Sequence, residues 1–183
     1  MDYRWLLDHL LPSIGFILAL APLSHIFLDA LNIGEVVKLG DEIGRVDNIG
    51  LRFTKLINLH GQRILIPNRN IAVISLFRGG CIRAYVDIQL PKEVDENEIS
   101  PAIQAIAKGM YHQHRSLILA APETFGIKDA KAGQWRYLHI KFKLWPGQMK
   151  IVEETFKEMV VQVLQRPFPD YAAWMITITY KVE

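Results

Sequence analysis

The sequence predicts an α+β protein built from three successive parts: an N-terminal hydrophobic helix, a small β-barrel of short strands, and a βαββαβ domain. Three observations predict this. His9 to Leu28 carries no formal charge over 20 positions. Gly34 to Phe77 is a run of short apolar stretches punctuated by Gly34, Gly40, Gly44, Gly50 and Gly61. From Arg83 onward, segments of period two and period three-to-four follow in the order strand, helix, strand, strand, helix, strand, a split βαβ plan of ferredoxin-like type. The expected parts are residues 1–33, 34–79 and 80–183.

Composition narrows the class. Of 183 residues, 50% are hydrophobic and 22% charged, which excludes both a disordered chain and a multi-span membrane protein. A formal charge of +2 does not demand a nucleic-acid partner. The single cysteine, Cys81, excludes an intrachain disulfide framework and any multi-cysteine metal site. Charge is unevenly spread. Between Arg52 and Arg83 lie Arg52, Lys55, Arg63, Arg69, Arg78 and Arg83 with no carboxylate among them. Such a basic band suits RNA, anionic lipid or permeating anions, and equally suits a plain solvated face.

The stretch HLLPSIGFILALAPLSHIFL, bracketed by Asp8 and Asp29, is long enough as a helix to cross a hydrocarbon core of about 30 Å. Pro12, Pro22 and His25 dilute it. Asp2 and Asp8 argue against a signal peptide. A membrane helix is the expected reading, with a buried helix as its rival. Pro22 is a kink former. Gly15 and Ala19, four apart, permit close helix-to-helix approach.

In the barrel segment, the odd positions from Ile49 to Leu59 are apolar except Lys55, so Ile49, Leu51, Phe53, Ile57 and Leu59 are expected to face inward. His60-Gly61 reads as a tight turn, Gln62 to Ile66 as the returning strand, and Pro67-Asn68 as its end. Ile71 to Phe77 reads as a closing strand, and Arg78-Gly79-Gly80 as a hinge.

The order GEVVKLGDEIGRV, then the Thr54 strand, then LHGQRILIPNRNI, resembles the small-conductance mechanosensitive channel (MscS) family in its middle domain, a barrel of the Sm-like type. The motif residues are Gly34, Gly40, Asp41, Gly44, Thr54, Gly61, Pro67 and Asn68. The resemblance runs on to RPFPDY near the C-terminus. It implies that His9 to Leu28 is the pore-lining helix, with Ile14 and Leu18 as apolar gate rings, Gly15 and Ala19 as packing positions, and Pro22 at the kink. It also implies a homo-oligomer of seven subunits in a bacterial-type inner membrane. The C-terminal domains would be cytoplasmic, the partners membrane lipid and permeating ions, with no nucleic acid and no cofactor. The sequence departs from the family in the few residues preceding His9, where tension-sensing helices are expected, in a shortened Leu23 to Gly34 segment, and in an apolar Ile57 where arginine is typical.

In the last part, Val86, Ile88 and Leu90 share a strand face that Pro91 ends. Ile99, Ile103, Ile106 and Met110 give a helix over Asp95 to Met110, with Ser100-Pro101 as an alternative start. Leu117 to Ile127 is a strand interrupted by Pro122. Leu138, Ile140, Phe142 and Leu144 point inward from the next strand, with His139, Lys141 and Lys143 outward. Gln148 to Gln165 is expected to be helical, burying Val152, Phe156, Val160, Val163 and Leu164. The final strand would place Trp174, Ile176, Ile178 and Tyr180 on one face.

No catalytic set emerges. His112 and His114 are too closely spaced to share a helix face and lack a third ligand. The glycines are not in a phosphate-loop context. The chain is expected not to be an enzyme but to be a subunit of an ion channel that releases ions and small osmolytes under membrane tension. The alternative is a non-conducting oligomeric assembly module gripping RNA or anionic lipid through the basic band.

Overall fold

The computed structural model describes residues 31–129 and 135–182, and they are α+β. They form two compact units, with the boundary between Ser75 and Leu76.

The first unit is built on a five-stranded sheet of β1 (Val36–Leu39), β2 (Glu42–Ile49), β3 (Phe53–Ile57), β4 (Arg63–Pro67) and β5 (Ile74–Phe77), the last of which runs across the boundary. Its strand order is β4-β3-β2-β1-β5, and β1 to β4 are successive antiparallel neighbours. Leu31, Val37, Leu39, Val46, Leu56 and Ile71 form its core. Gly40 turns β1 into β2 at φ +61°, a left-handed conformation that a side chain resists. Gly44 serves another need. A Cβ there would lie 2.8 Å from the Ile57 carbonyl oxygen and 3.0 Å from the Leu56 Cβ, so β2 and β3 approach too closely for any side chain. Asn58 shapes the β3–β4 turn: its Oδ1 accepts from the backbone N–H of His60 and of Gln62, each at 2.9 Å.

The expected inward face from Ile49 to Leu59 is inverted. β2 ends at Ile49, a turn at Gly50–Arg52 intervenes, and β3 starts at Phe53. The inward residues of β3 are Thr54 and Leu56, at 1% and 0% exposure, whereas Leu51 is 80% and Phe53 48% exposed. The alternation is real, but the turn and a bulge between Val46 and Asn48 reset its phase.

What holds Thr54 inside is Asn68. The Thr54 hydroxyl donates to Asn68 Oδ1 at 2.9 Å. Asn68 Nδ2 donates to the carbonyls of Gly50 at 2.8 Å and Leu51 at 3.2 Å. The Asn68 backbone N–H donates to Arg52 O at 2.9 Å. Pro67 ends β4 in an extended conformation and delivers Asn68 to a short 3-10 turn, Asn68–Asn70. One side chain thereby ties the β2–β3 turn to β3.

The second unit contains β6 (Ile82–Pro91), α1 (Glu96–Gln113), β7 (Ile118–Asp129), β8 (Trp135–Leu144), α2 (Lys157–Gln165) and β9 (Ile176–Lys181). Its four-stranded sheet has the order β7-β8-β6-β9, antiparallel throughout. Ala84, Val86, Ile88 and Leu90 of β6 and Leu138, Ile140, Phe142 and Leu144 of β8 share one core with both helices. α1 buries Ile99, Ile103, Ala107 and Met110. Its cap is Asp95, whose carboxylate accepts from the Asn97 N–H at 2.9 Å. The alternative start at Ser100 is therefore corrected, and Pro101 lies inside the helix. α2 is preceded by a π-helical segment, Ile151–Phe156, so helical structure begins later than Gln148. The fully buried residues Val152, Phe156, Val160 and Leu164 recur every four positions. An α-helix would rotate such a stripe off the sheet, and the wider π turn holds it in line. Val163, expected inside, is only partly buried. Trp174, expected on the inner face of the last strand, sits in a 3-10 turn before β9 and is 71% exposed. Tyr171, within the RPFPDY segment, is buried, and its hydroxyl donates to the Gln89 carbonyl at 2.9 Å.

Two outcomes follow for the first unit, the first of them set against a control glycine of the second unit. Gly44→Ala should destabilise it by about 2 kcal/mol through overpacking, whereas Gly109→Ala, with open space around it on α1, should be stabilising by about 0.5 kcal/mol. Urea unfolding of both variants checks the contrast. Asn68→Ala should cost about 2 kcal/mol by stranding the Thr54 hydroxyl and two carbonyls. Hydrogen exchange of the β3 amides reads that loss, and an unchanged exchange rate would show the clasp to be dispensable.

Candidate functional site

Ile14, Gly15, Leu18, Ala19 and Pro22 lie outside the described residues. Of the other singled-out positions, Gly44 and Lys55 lie within β2 and β3, Arg78 and Arg83 belong to the second unit, and most of the rest lie near the two ends of the five-stranded sheet. Gly40, Asp41 and Gly61 occupy turns at one end. Toward the other, Gly34 donates its N–H to the Val46 carbonyl at 2.8 Å, and Arg45 Nη1 reaches the Gly34 carbonyl at 3.0 Å. There too are Thr54, Pro67 and Asn68, clasping the β2–β3 turn.

That second end carries an open groove of about 620 Å³. Its lining includes Asp47, Asn48, Leu51, Arg52, Phe53, Lys55 and Leu65. The β3–β4 register sets Leu65 directly across from Lys55. Leu65 is 63% exposed. Lys55 is not a free cation: its Nζ lies 3.0 Å from Asp47 Oδ2. The basic band is therefore partly neutralised by an acid just upstream of it in sequence. It is also divided between units, since Arg52, Lys55, Arg63 and Arg69 belong to the first and Arg78 and Arg83 to the second. Sequence reasoning missed the groove because it assigned Leu51 and Phe53 to the core. The signal available was Gly50, a turn residue immediately ahead of them.

In the second unit, the sheet face away from the helices is polar and cross-linked. The His139 Nδ1 and Asp87 Oδ1 are hydrogen-bonded across β8 and β6, so His139, expected on the surface, is half-buried and engaged. Lys141 Nζ donates to Glu123 Oε2 at 3.0 Å, and Lys143 approaches the other oxygen at 3.5 Å. The Lys141 hydrogen bond, helped by both lysine charges, holds the Glu123 carboxyl below its usual range. Lys181 Nζ lies 5.2 Å from the centre of the Tyr85 ring. Burial pushes the Tyr171 phenol up, and burial together with Glu153 does the same for Tyr180.

His112 contacts Arg115 at 3.1 Å rather than His114, and Cys81 is buried. Among the described residues no group of three His, Cys, Asp or Glu side chains is placed to hold a metal ion. No helix of the described residues is long and apolar enough to cross a membrane. What the geometry offers is contact surface: a groove lined by both apolar and charged side chains, and a polar sheet face.

Residues 20–75 match the β-domain of mechanosensitive ion channels. A small-conductance mechanosensitive channel of Caldanaerobacter subterraneus subsp. tengcongensis is 26% identical over 149 residues, covering 79% of this chain and 52% of that protein. The chain thus spans about half the length of this curated relative. Among solved structures, wild-type MSL1 of Arabidopsis thaliana aligns over 100% of this chain and 65% of its own, at 19% identity and a TM-score of 0.40. Helicobacter pylori MscS in its closed state aligns over 100% and 71%, at 16% identity and a TM-score of 0.40. The β-domain match overlaps the end of the uncharged stretch, and the likeness to the bacterial channel extends well beyond it; the chain is similar to small-conductance mechanosensitive channels over most of its length.

Proposed function

We propose that the chain is a subunit of a mechanosensitive ion channel of the small-conductance type, which releases ions and small osmolytes under membrane tension. The observation that carries this is the channel β-domain match over residues 20–75, which overlaps the end of the 20-residue uncharged stretch His9 to Leu28. In this reading His9 to Leu28 crosses the membrane as the pore helix. Ile14 and Leu18 line an apolar constriction that closes by dewetting and conducts once it widens. Gly15 and Ala19 let neighbouring pore helices approach, and Pro22 bends the helix.

Residues 34–79 act as an Sm-like barrel beneath the membrane, a reading supported by five short strands in the order β4-β3-β2-β1-β5. Residues 80–183 act as a ferredoxin-like cytoplasmic domain, a reading supported by the βαββαβ order and the β7-β8-β6-β9 sheet. Seven copies assemble into a ring in a bacterial-type inner membrane, with lipid around the pore helices and ions within. Opening requires that bilayer tension act differently on the closed and open rings.

The test is survival of a sudden fall in osmolarity in a host lacking its own channels. The full chain should rescue survival, and Leu18→Asp should abolish the rescue. Failure to rescue by a stable, membrane-bound oligomer would overturn the conducting reading in favour of a non-conducting assembly module.

A further inference from the structure

The chain enters the five-stranded sheet from the side of the β2–β3 turn. Val36 pairs with Arg45, and β2 then runs on through Ile49 toward that turn. Gly34 is bonded to Val46, and Leu31 shares a core with Val46, against which Ile49 packs. The β1–β2 and β3–β4 turns lie at the other end, since Leu39 pairs with Glu42 and Ile57 with Arg63. Only five residues separate Leu28 from Gly34, six Cα-to-Cα steps with a reach of at most about 22 Å. If His9 to Leu28 lies in a bilayer, as proposed above, the β2–β3 turn is on the membrane side of the sheet.

That turn has the chemistry of an interfacial contact. Leu51 and Phe53 project at its tip, 80% and 48% exposed, and Leu65 continues the apolar strip at 63%. Arg52 sits between the first two. Arg69 is close by, because the backbone N–H of Asn68 is bonded to Arg52 O and Pro67 pairs with Phe53. Both arginines are exposed. Asp47 offsets Lys55, and Arg45 and Glu35 at this end carry opposite charges, so Arg52 and Arg69 leave the end net positive.

We infer that the β2–β3 turn is a lipid-contacting foot, with Leu51, Phe53 and Leu65 dipping into the bilayer interface and Arg52 and Arg69 on anionic headgroups. The Asn68 clasp holds the turn rigid, so the apolar side chains are presented without an ordering cost. The inference rests on the membrane reading above and adds to it which surface touches lipid and which lipid charge it selects.

The test uses the full chain in vesicles of phosphatidylcholine, with or without phosphatidylglycerol. Leu51→Cys and His60→Cys, each with Cys81→Ala, carry a polarity-sensitive fluorophore. His60 marks the opposite end and is exposed. The label at position 51 should be quenched by nitroxide-bearing lipid and shielded from aqueous iodide, more strongly with phosphatidylglycerol, while the label at 60 should show neither. Each arginine should be worth about fivefold in affinity for the anionic surface, so Arg52→Glu with Arg69→Glu should erase the phosphatidylglycerol dependence. Equal iodide quenching at both positions overturns the inference. Shielding from iodide without lipid quenching also overturns it, by placing protein over the turn. A chain that does not co-sediment with vesicles sinks the membrane reading and this inference together; one that co-sediments with a water-exposed label at 51 sinks this inference alone.

Discussion

A single asparagine side chain decides the shape of the first unit. Asn68 accepts from Thr54 and donates to Gly50 and Leu51, three contacts that together reach the turn and the strand it leads into. Thr54 is the one buried polar residue among the described positions, at 1% exposure. A buried hydroxyl left alone costs far more than the net gain of an ordinary hydrogen bond. The network is therefore strongly directional: with Asn68 in place, β3 is locked with Thr54 and Leu56 inward, and Leu51 and Phe53 have nowhere to go but outward. Pro67 contributes by ending β4 where it does, since it cannot continue the ladder and its fixed φ delivers Asn68 to the turn. The proline-asparagine pair is thus a packing device, and the exposed apolar end is its consequence.

The second unit depends on a different balance. One face of its sheet is sealed by two helices, with Phe142 and Phe156 meeting edge to face at 4.9 Å between ring centres. The other face is stitched by polar pairs across strands: His139 to Asp87, and Lys141 and Lys143 to Glu123. Arg136 adds a tie at the end of β8, donating to the Val94 carbonyl at 2.6 Å and so fixing the loop that leads into α1. Partly exposed ion pairs of this kind contribute little to stability. They do fix which residues lie opposite one another, because a slip of one position would break every pair at once.

Much of this was legible in the sequence, for identifiable reasons. The alternation of Leu138, Ile140, Phe142 and Leu144 predicted a half-buried strand, and all four are inward. Ile99, Ile103 and Met110 predicted the buried face of α1, because a long amphipathic period tolerates no other reading. Errors arose where a local pattern had two phases. From Ile49 to Leu59 the odd positions are apolar except Lys55, yet a three-residue turn and a bulge shift which of them face in. Neither leaves a periodic trace. The decisive partner, Asn68, is 14 residues away from Thr54. Ser100-Pro101 looks like a helix start, but Asp95 caps one turn earlier, and a proline this near the start costs a helix few bonds. The groove beside Leu51 was hidden for the same reason as the phase error: apolar residues were given to the core before the turn was placed. The ion pair between Asp47 and Lys55 also lay out of sight, since it joins neighbouring strands across the turn.

The edge strand β7 has a consequence of its own. It runs for 12 residues at the border of its sheet, where unpaired backbone groups would ordinarily invite a strand from another molecule. Its register against β8 is broken three times, Pro122 removes one donor, and Gly126 takes a left-handed conformation at φ +76°. A ladder so often interrupted cannot template a long, in-register partner. Such an edge lets many copies crowd together at high local concentration without zipping into fibrils.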